Sequence, residues 1–161
     1  MAAGLPPDLL ALMGRGVSVI VGSRDAALRP SLMRAMGSRV EADGRDITVF
    51  LSRPHARQLL QDLAATGHIA VVFSQPSSHR TVQLKATRVE MRNAEAADVP
   101  LLEAYLRSME HELQKVDIAP PLTRAMLAWR LDDLVAVRFT PEQAFDQTPG
   151  PRAGAHLGSG R

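Results

Sequence analysis

Apolar residues along this chain recur mostly with a period of two, and in a few stretches with a period near 3.6. The segment His68 to Arg92 shows the first pattern best. Ile69 to Phe73 is a nearly unbroken apolar run. After a Pro76-Ser-Ser link the chain alternates, with Thr81, Gln83, Lys85 and Thr87 on one face and Val82, Leu84 and Ala86 on the other. A continuous run reads as a strand buried on both faces, and an alternating one as a strand with one polar face. Val17 to Arg24 alternates in the same way. Arg29 to Val40 returns from it across the turn Asp25–Leu28, with Pro30 near its start, where a missing N–H is tolerated. Gly37 marks a bulge or a close backbone approach within that strand. Asp43-Gly44 is a hairpin signal and leads into a third strand, Ile47 to Leu51. Short links make these three antiparallel neighbours. Leu134 to Thr140 is a sixth strand.

The period changes in four places. Residues 5–14 predict a short helix, with Pro7 and Asp8 suited to its first turn. Ser52 to Thr66 predicts another, capped by Ser52, with Pro54 in its first turn and Gly67 ending it. From Asp98 to Val116 the apolar positions Val99, Leu102, Leu106, Met109, Leu113 and Val116 step by three and four, a strong amphipathic signal. Ile118 to Leu122 reads as a linker, and Thr123 to Leu131 as a short helix. After Asp146 the chain is rich in Gly and Pro and poor in apolar side chains, so it is expected to be disordered or merely draped on a surface. The expected order is β β β α β β α (α) β. That is a mainly β, α+β chain: a six-stranded antiparallel barrel with peripheral helices, formed by one domain over residues 1–146 and followed by a tail, 147–161.

Composition narrows the chemistry. With 161 residues, one domain with a real core is expected. The absence of cysteine excludes disulfides, thiolate metal sites and a Cys nucleophile. All but two of the 19 basic residues are Arg, yet the net charge is only +2, so no nucleic-acid partner is expected. No apolar run is long enough to span a membrane. The N-terminus lacks the basic start of a signal peptide, which makes a cytoplasmic location the expectation.

No phosphate-binding Gly loop, H-E-x-x-H pair or G-x-S-x-G elbow is present, and the histidines lack metal-ligand spacing. Cations remain as the candidates: Arg29 and Arg34 on the second strand, Arg53, His55 and Arg57 around the start of a helix, and Arg80 and Lys85 beside the fifth strand. Free N–H groups at a helix start, completed by Arg side chains, form an anion site. A solvated rim of charges explains the same residues more simply. Met33, Met36, Met91, Met109 and Met126 read as core or interface filler, and Trp129 as a core or dimer contact.

The layout from Val17 to Phe139 resembles the FMN-binding split-barrel proteins related to pyridoxamine 5′-phosphate oxidase. The resemblance rests on Arg29-Pro-Ser-Leu-Met-Arg34, on Ile47-Thr-Val-Phe-Leu-Ser-Arg-Pro-His-Ala-Arg-Gln-Leu59, and on Val71-Val-Phe73 followed by Arg80-Thr-Val-Gln-Leu-Lys85. It implies a split β-barrel and a homodimer with FMN at the subunit interface, acting as an oxidoreductase on a small substrate. By that resemblance Arg29, Arg34, Arg53 and Arg57 would take the phosphate, Ser31 and Met33 would lie beside the ring, and Thr81 and Gln83 would line the cleft. Where the family often has Ser-Arg-Lys before the helix, this chain has Arg53, Pro54 and His55, and proline brings no cation. A non-catalytic binder of haem or a deazaflavin, with His55 or His79 as haem ligand, and a cofactor-free dimeric scaffold are the alternatives.

Overall fold

The computed structural model describes residues 5–158. Among these residues, nine strands form two antiparallel sheets. The first sheet contains β1 (Ser18–Arg24), β2 (Pro30–Arg34), β5 (Ile69–Ser74), β6 (Thr81–Ala86) and β9 (Gln143–Asp146), in the order β2-β1-β5-β6-β9. The second contains β3 (Gly37–Val40), β4 (Ile47–Ser52), β7 (Glu90–Asn93) and β8 (Leu134–Phe139), in the order β3-β4-β8-β7. Four helices surround them: α1 (Pro7–Met13), α2 (Arg57–Thr66), α3 (Val99–Gln114) and α4 (Pro120–Met126). This is the expected mostly-strand architecture, with three strands more than the sequence pattern suggested.

The extra strands have local causes. The expected strand Arg29–Val40 is two strands. Ala35 N–H donates to Val19 O in the first sheet, and Met36 N–H donates to Phe50 O in the second. The chain thus changes sheets at this point, and a continuous apolar pattern conceals the corner. β7 and β9 are only four residues each, too short to show a period. Residues 147–158 turn back along β9 and the start of β6. Leu157 N–H donates to Ala144 O, Asp146 N–H to Ala155 O, and Gln147 N–H to Thr81 O. Residues 159–161 lie outside the described residues.

Between the sheets lies one core. Val19, Val21, Val71, Phe73 and Leu84 from the first sheet meet Val49, Leu51, Val135 and Val137 from the second, all nearly fully buried. A second, smaller cluster lies on the outer face of the four-stranded sheet, where Met36, Phe50, Leu134 and Ala136 pack against Leu102 of α3, with Trp129 at its edge. The close approach expected at Gly37 is made by this helix. A Cβ there would come within 2.8 Å of Leu102 Cδ2. α3 is tied down at two further points. The Tyr105 hydroxyl donates to Val17 O at 2.5 Å, and Gly16 N–H donates to Ser108 Oγ at 2.8 Å.

The outer face of the five-stranded sheet is different. Strand register sets Arg34, Ile20, Val72, Gln83 and Phe145 side by side in one row, and Leu32, Gly22, Ala70, Lys85 and Gln143 in the next. None of these side chains is buried, and Leu32 is 67% exposed. The run Ile69–Phe73, which reads as buried on both faces, is buried only at Ile69, Val71 and Phe73. No helix among the described residues is long and apolar enough to cross a membrane.

Candidate functional site

The expected site residues fall into three places. The first is a groove of about 610 Å³ between α2 and β7, lined by Arg53, Arg57, Leu60, Met91, Arg92 and Asn93 among others. Its shape follows from the passage out of β4. Ser52 is the last residue of that strand and does not cap the helix. Arg53, Pro54 and His55 form a turn closed by His55 N–H and Ala56 N–H donating to Ser52 O, and α2 begins at Arg57. Pro54 therefore sits in the turn and not in the helix's first turn.

Arg53 is fixed at both ends. Its N–H donates to Asp133 O at 2.7 Å, and its Nη2 to Asn93 Oδ1 at 2.8 Å. Arg57 is exposed and has no side-chain hydrogen bond or ion pair among the described residues. Arg92 reaches Asp98 through both guanidinium nitrogens, at 2.7 and 2.9 Å. These hydrogen bonds hold the Asp98 carboxyl below the ordinary aspartate range, despite its burial. Arg92 is thus already neutralised, whereas Arg57 is free to meet a ligand. Leu60, Met91 and Val135 add apolar wall. Arg92 and Asn93 are the groove residues that sequence reasoning missed, because β7 shows no pattern.

The second place is the outer face of the five-stranded sheet, which carries Arg34, Thr81 and Gln83. Arg34 Nη1 donates to Ser18 Oγ at 2.8 Å. Thr81 Oγ1 shares a 2.8 Å hydrogen bond with Ser74 Oγ, and Gln83 Oε1 accepts from Gln147 Nε2 at 3.2 Å. The third place is the other side of β2. Alternation turns Ser31 and Met33 away from Arg34, so Met33 packs against the core and Ser31 Oγ donates to Asp62 Oδ2 of α2 at 2.6 Å. Arg29 is exposed in the β1–β2 turn, where its N–H donates to Asp25 Oδ1. The structure therefore joins Arg53 with Arg57, and Arg34 with Thr81 and Gln83. It separates Ser31, Met33 and Arg29 from both groups.

His55 and His79 are both exposed, and His79 adopts a left-handed backbone, φ 59°, in the β5–β6 loop. No group of three His, Asp or Glu residues among the described residues is arranged to hold a metal ion.

No family model matches this sequence, and no curated protein does. Similarity appears in the fold. HupZ from Group A Streptococcus superposes with a TM-score of 0.56 at 14% identity, covering 93% of this chain and 99% of that one. An F420 reductase gives 0.56 at 16% identity, with 87% and 98% covered. A pyridoxamine 5′-phosphate oxidase-related, FMN-binding protein from Nostoc punctiforme gives 0.52 at 9% identity, with 92% and 88% covered. The chain has the split-barrel fold of the pyridoxamine 5′-phosphate oxidase-like proteins.

Proposed function

We propose that this chain binds FMN in the groove between α2 and β7, and that it serves as an oxidoreductase for a small substrate. The carrying observation is Arg57, a cation without a protein partner among the described residues, which shares a groove with the fixed Arg53 and the apolar Leu60 and Val135. A phosphate suits the guanidinium pair, since Arg binds it with two parallel hydrogen bonds. The apolar wall suits a flat ring. The groove's 610 Å³ lies within the usual range for small-ligand sites. When bound, the flavin would supply the electron-transfer chemistry. The chain's own part is to anchor the phosphate at Arg53 and Arg57 and to keep water from the ring with Leu60, Met91 and Val135.

We propose further that the working form is a homodimer, with the bare face of the five-stranded sheet buried against a second copy and the ligand site at the subunit boundary. The support is the mismatch at β5. Ala70 and Val72 belong to a run apolar on both sides, and Ile20 and Leu32 extend that surface, yet the described residues leave Ala70, Val72 and Ile20 only half-buried and Leu32 exposed. A contiguous apolar patch on a sheet marks an interaction surface.

FMN titration of the purified protein tests the ligand. Uptake is expected to quench flavin fluorescence. Changing Arg53 and Arg57 to Ala is expected to lower affinity roughly tenfold for each charge-assisted hydrogen bond removed. No uptake by the unaltered protein at high micromolar FMN would overturn the reading. One structural relative is an F420 reductase, so the same titration with a deazaflavin separates the two ring systems.

A further inference from the structure

A second cavity, of about 410 Å³, opens where α3 and α4 meet the starts of β1 and the β5–β6 loop. Its lining is apolar, with Met109 and Leu113 from α3 and Leu122 and Met126 from α4, apart from three polar residues: Ser18, Arg34 and Thr123. Two of these are not satisfied by the protein. Arg34 is partly buried and makes no ion pair among the described residues; its one side-chain hydrogen bond goes to the neutral Ser18 hydroxyl. Thr123 is fully buried, and its Oγ1 has no hydrogen-bond partner among the described residues. A partly desolvated cation without a counter-charge and a buried hydroxyl without a partner each carry an energetic cost. A ligand bringing acceptor oxygens relieves both.

We infer that this cavity binds a monoanionic amphiphile, a carboxylate with an apolar body, distinct from the ligand of the α2–β7 groove. The head group follows from the charge count. One uncompensated guanidinium neutralises a single carboxylate and presents it with parallel donors. A phosphate dianion would bring a second negative charge into an otherwise apolar lining. The body follows from the walls and the mouth, because Leu122 and Met126 stay 65% and 39% exposed at the opening. An unbranched hydrocarbon chain would cover them while its carboxylate reaches Arg34 and the Thr123 hydroxyl.

Decanoate and its neutral counterpart decanol test this on the full chain by titration calorimetry. Decanoate is expected to bind at one site per chain, at least tenfold more tightly than decanol, the size of a charge-assisted hydrogen bond. Arg34→Met keeps the stem volume and is expected to remove that preference, leaving decanol binding unchanged. Thr123→Val loses no protein hydrogen bond and is expected to fold as before, while weakening decanoate several-fold. Equal binding of decanoate and decanol, or an unaltered decanoate affinity in Arg34→Met, would overturn the inference. Displacement of decanoate by FMN would also overturn it, by making the cavity part of the flavin site. Decanoate binding without any FMN binding would uphold it while removing the flavin reading.

Discussion

The two sheets of this barrel are built alike on the inside and finished differently on the outside. On the four-stranded sheet, Phe50, Leu134 and Ala136 point outward and are covered by Met36, Leu102 and Trp129. On the five-stranded sheet, Ile20, Val72 and Leu32 point outward and are left half-buried or, at Leu32, exposed. The covered face is apolar at these positions, whereas the bare one mixes Ile20, Val72 and Leu32 with Arg34, Gln83 and Lys85. The cover on the four-stranded sheet comes from α3 through Leu102, while Met109 and Leu113 further along the helix border Ser18 and Arg34 at one end of the five-stranded sheet. The covered face is core and contributes to folding. The bare face contributes little until something else binds it.

The largest expected effect lies on the covered face. Phe50 is fully buried there. Phe50→Ala should cost about 3–5 kcal/mol of folding stability, as for large-to-small changes in a packed core. Chemical denaturation measures this. A cost below about 1 kcal/mol would mean that α3 does not truly cover the sheet.

A middle-sized effect concerns how α3 is held. Its Glu112 accepts a hydrogen bond from Ser77 N–H in the β5–β6 loop at 2.9 Å and pairs with Lys115 at 3.0 Å. Burial works to raise the pKa of Glu112, but the hydrogen bonds from Ser77 and Lys115 outweigh it and hold the pKa at about 2. A carboxyl whose pKa is depressed on folding stabilises the protein above its unfolded pKa, near 4.5, and that contribution is lost as pH falls toward 2. The contribution is on the order of 2 kcal/mol. Denaturation at several pH values should show the acid loss in the natural chain and a shallower one in Glu112→Gln. Parallel pH profiles for the two would mean that this tie does not hold α3.

The smallest effect on folding is expected on the bare face. Ile20→Lys should change the stability of the single chain by less than about 1 kcal/mol, as surface substitutions do. Analytical ultracentrifugation should nevertheless show the proposed dimer replaced by monomer. If Ile20→Lys destabilises folding as much as Phe50→Ala, the two faces are not different in kind. A natural chain that sediments as a monomer would leave the bare face without its proposed partner.

The candidate site is partly legible in the sequence, and the legible part is whatever lies within one local pattern. Arg53 and Arg57 are four residues apart at a strand-to-helix passage, so they can be paired from sequence. Arg92 and Asn93 complete that groove from a four-residue strand whose composition says nothing of its place. Ser31 and Arg34 share a motif, yet alternation sends them to opposite sides of β2. Three residues of separation in a strand is an odd number, and odd separations change face.

Periodicity alone determined the mostly-strand class, the β5–β6 hairpin, the amphipathic α3 and the closing Gly67, because each depends on dihedral preference and on which side chains share a face. Only the tertiary structure decided the sheet change after Arg34, the pairing of β7 and β9, and the return of residues 147–158 along β9. Those depend on hydrogen bonds between residues far apart in sequence, such as Met36 with Phe50, and Leu157 with Ala144. The tertiary structure also decided which apolar face became core. Leu102 of α3 seals Met36, Phe50 and Ala136, whereas the outer face of the five-stranded sheet keeps Arg34, Gln83 and Lys85 among its apolar residues.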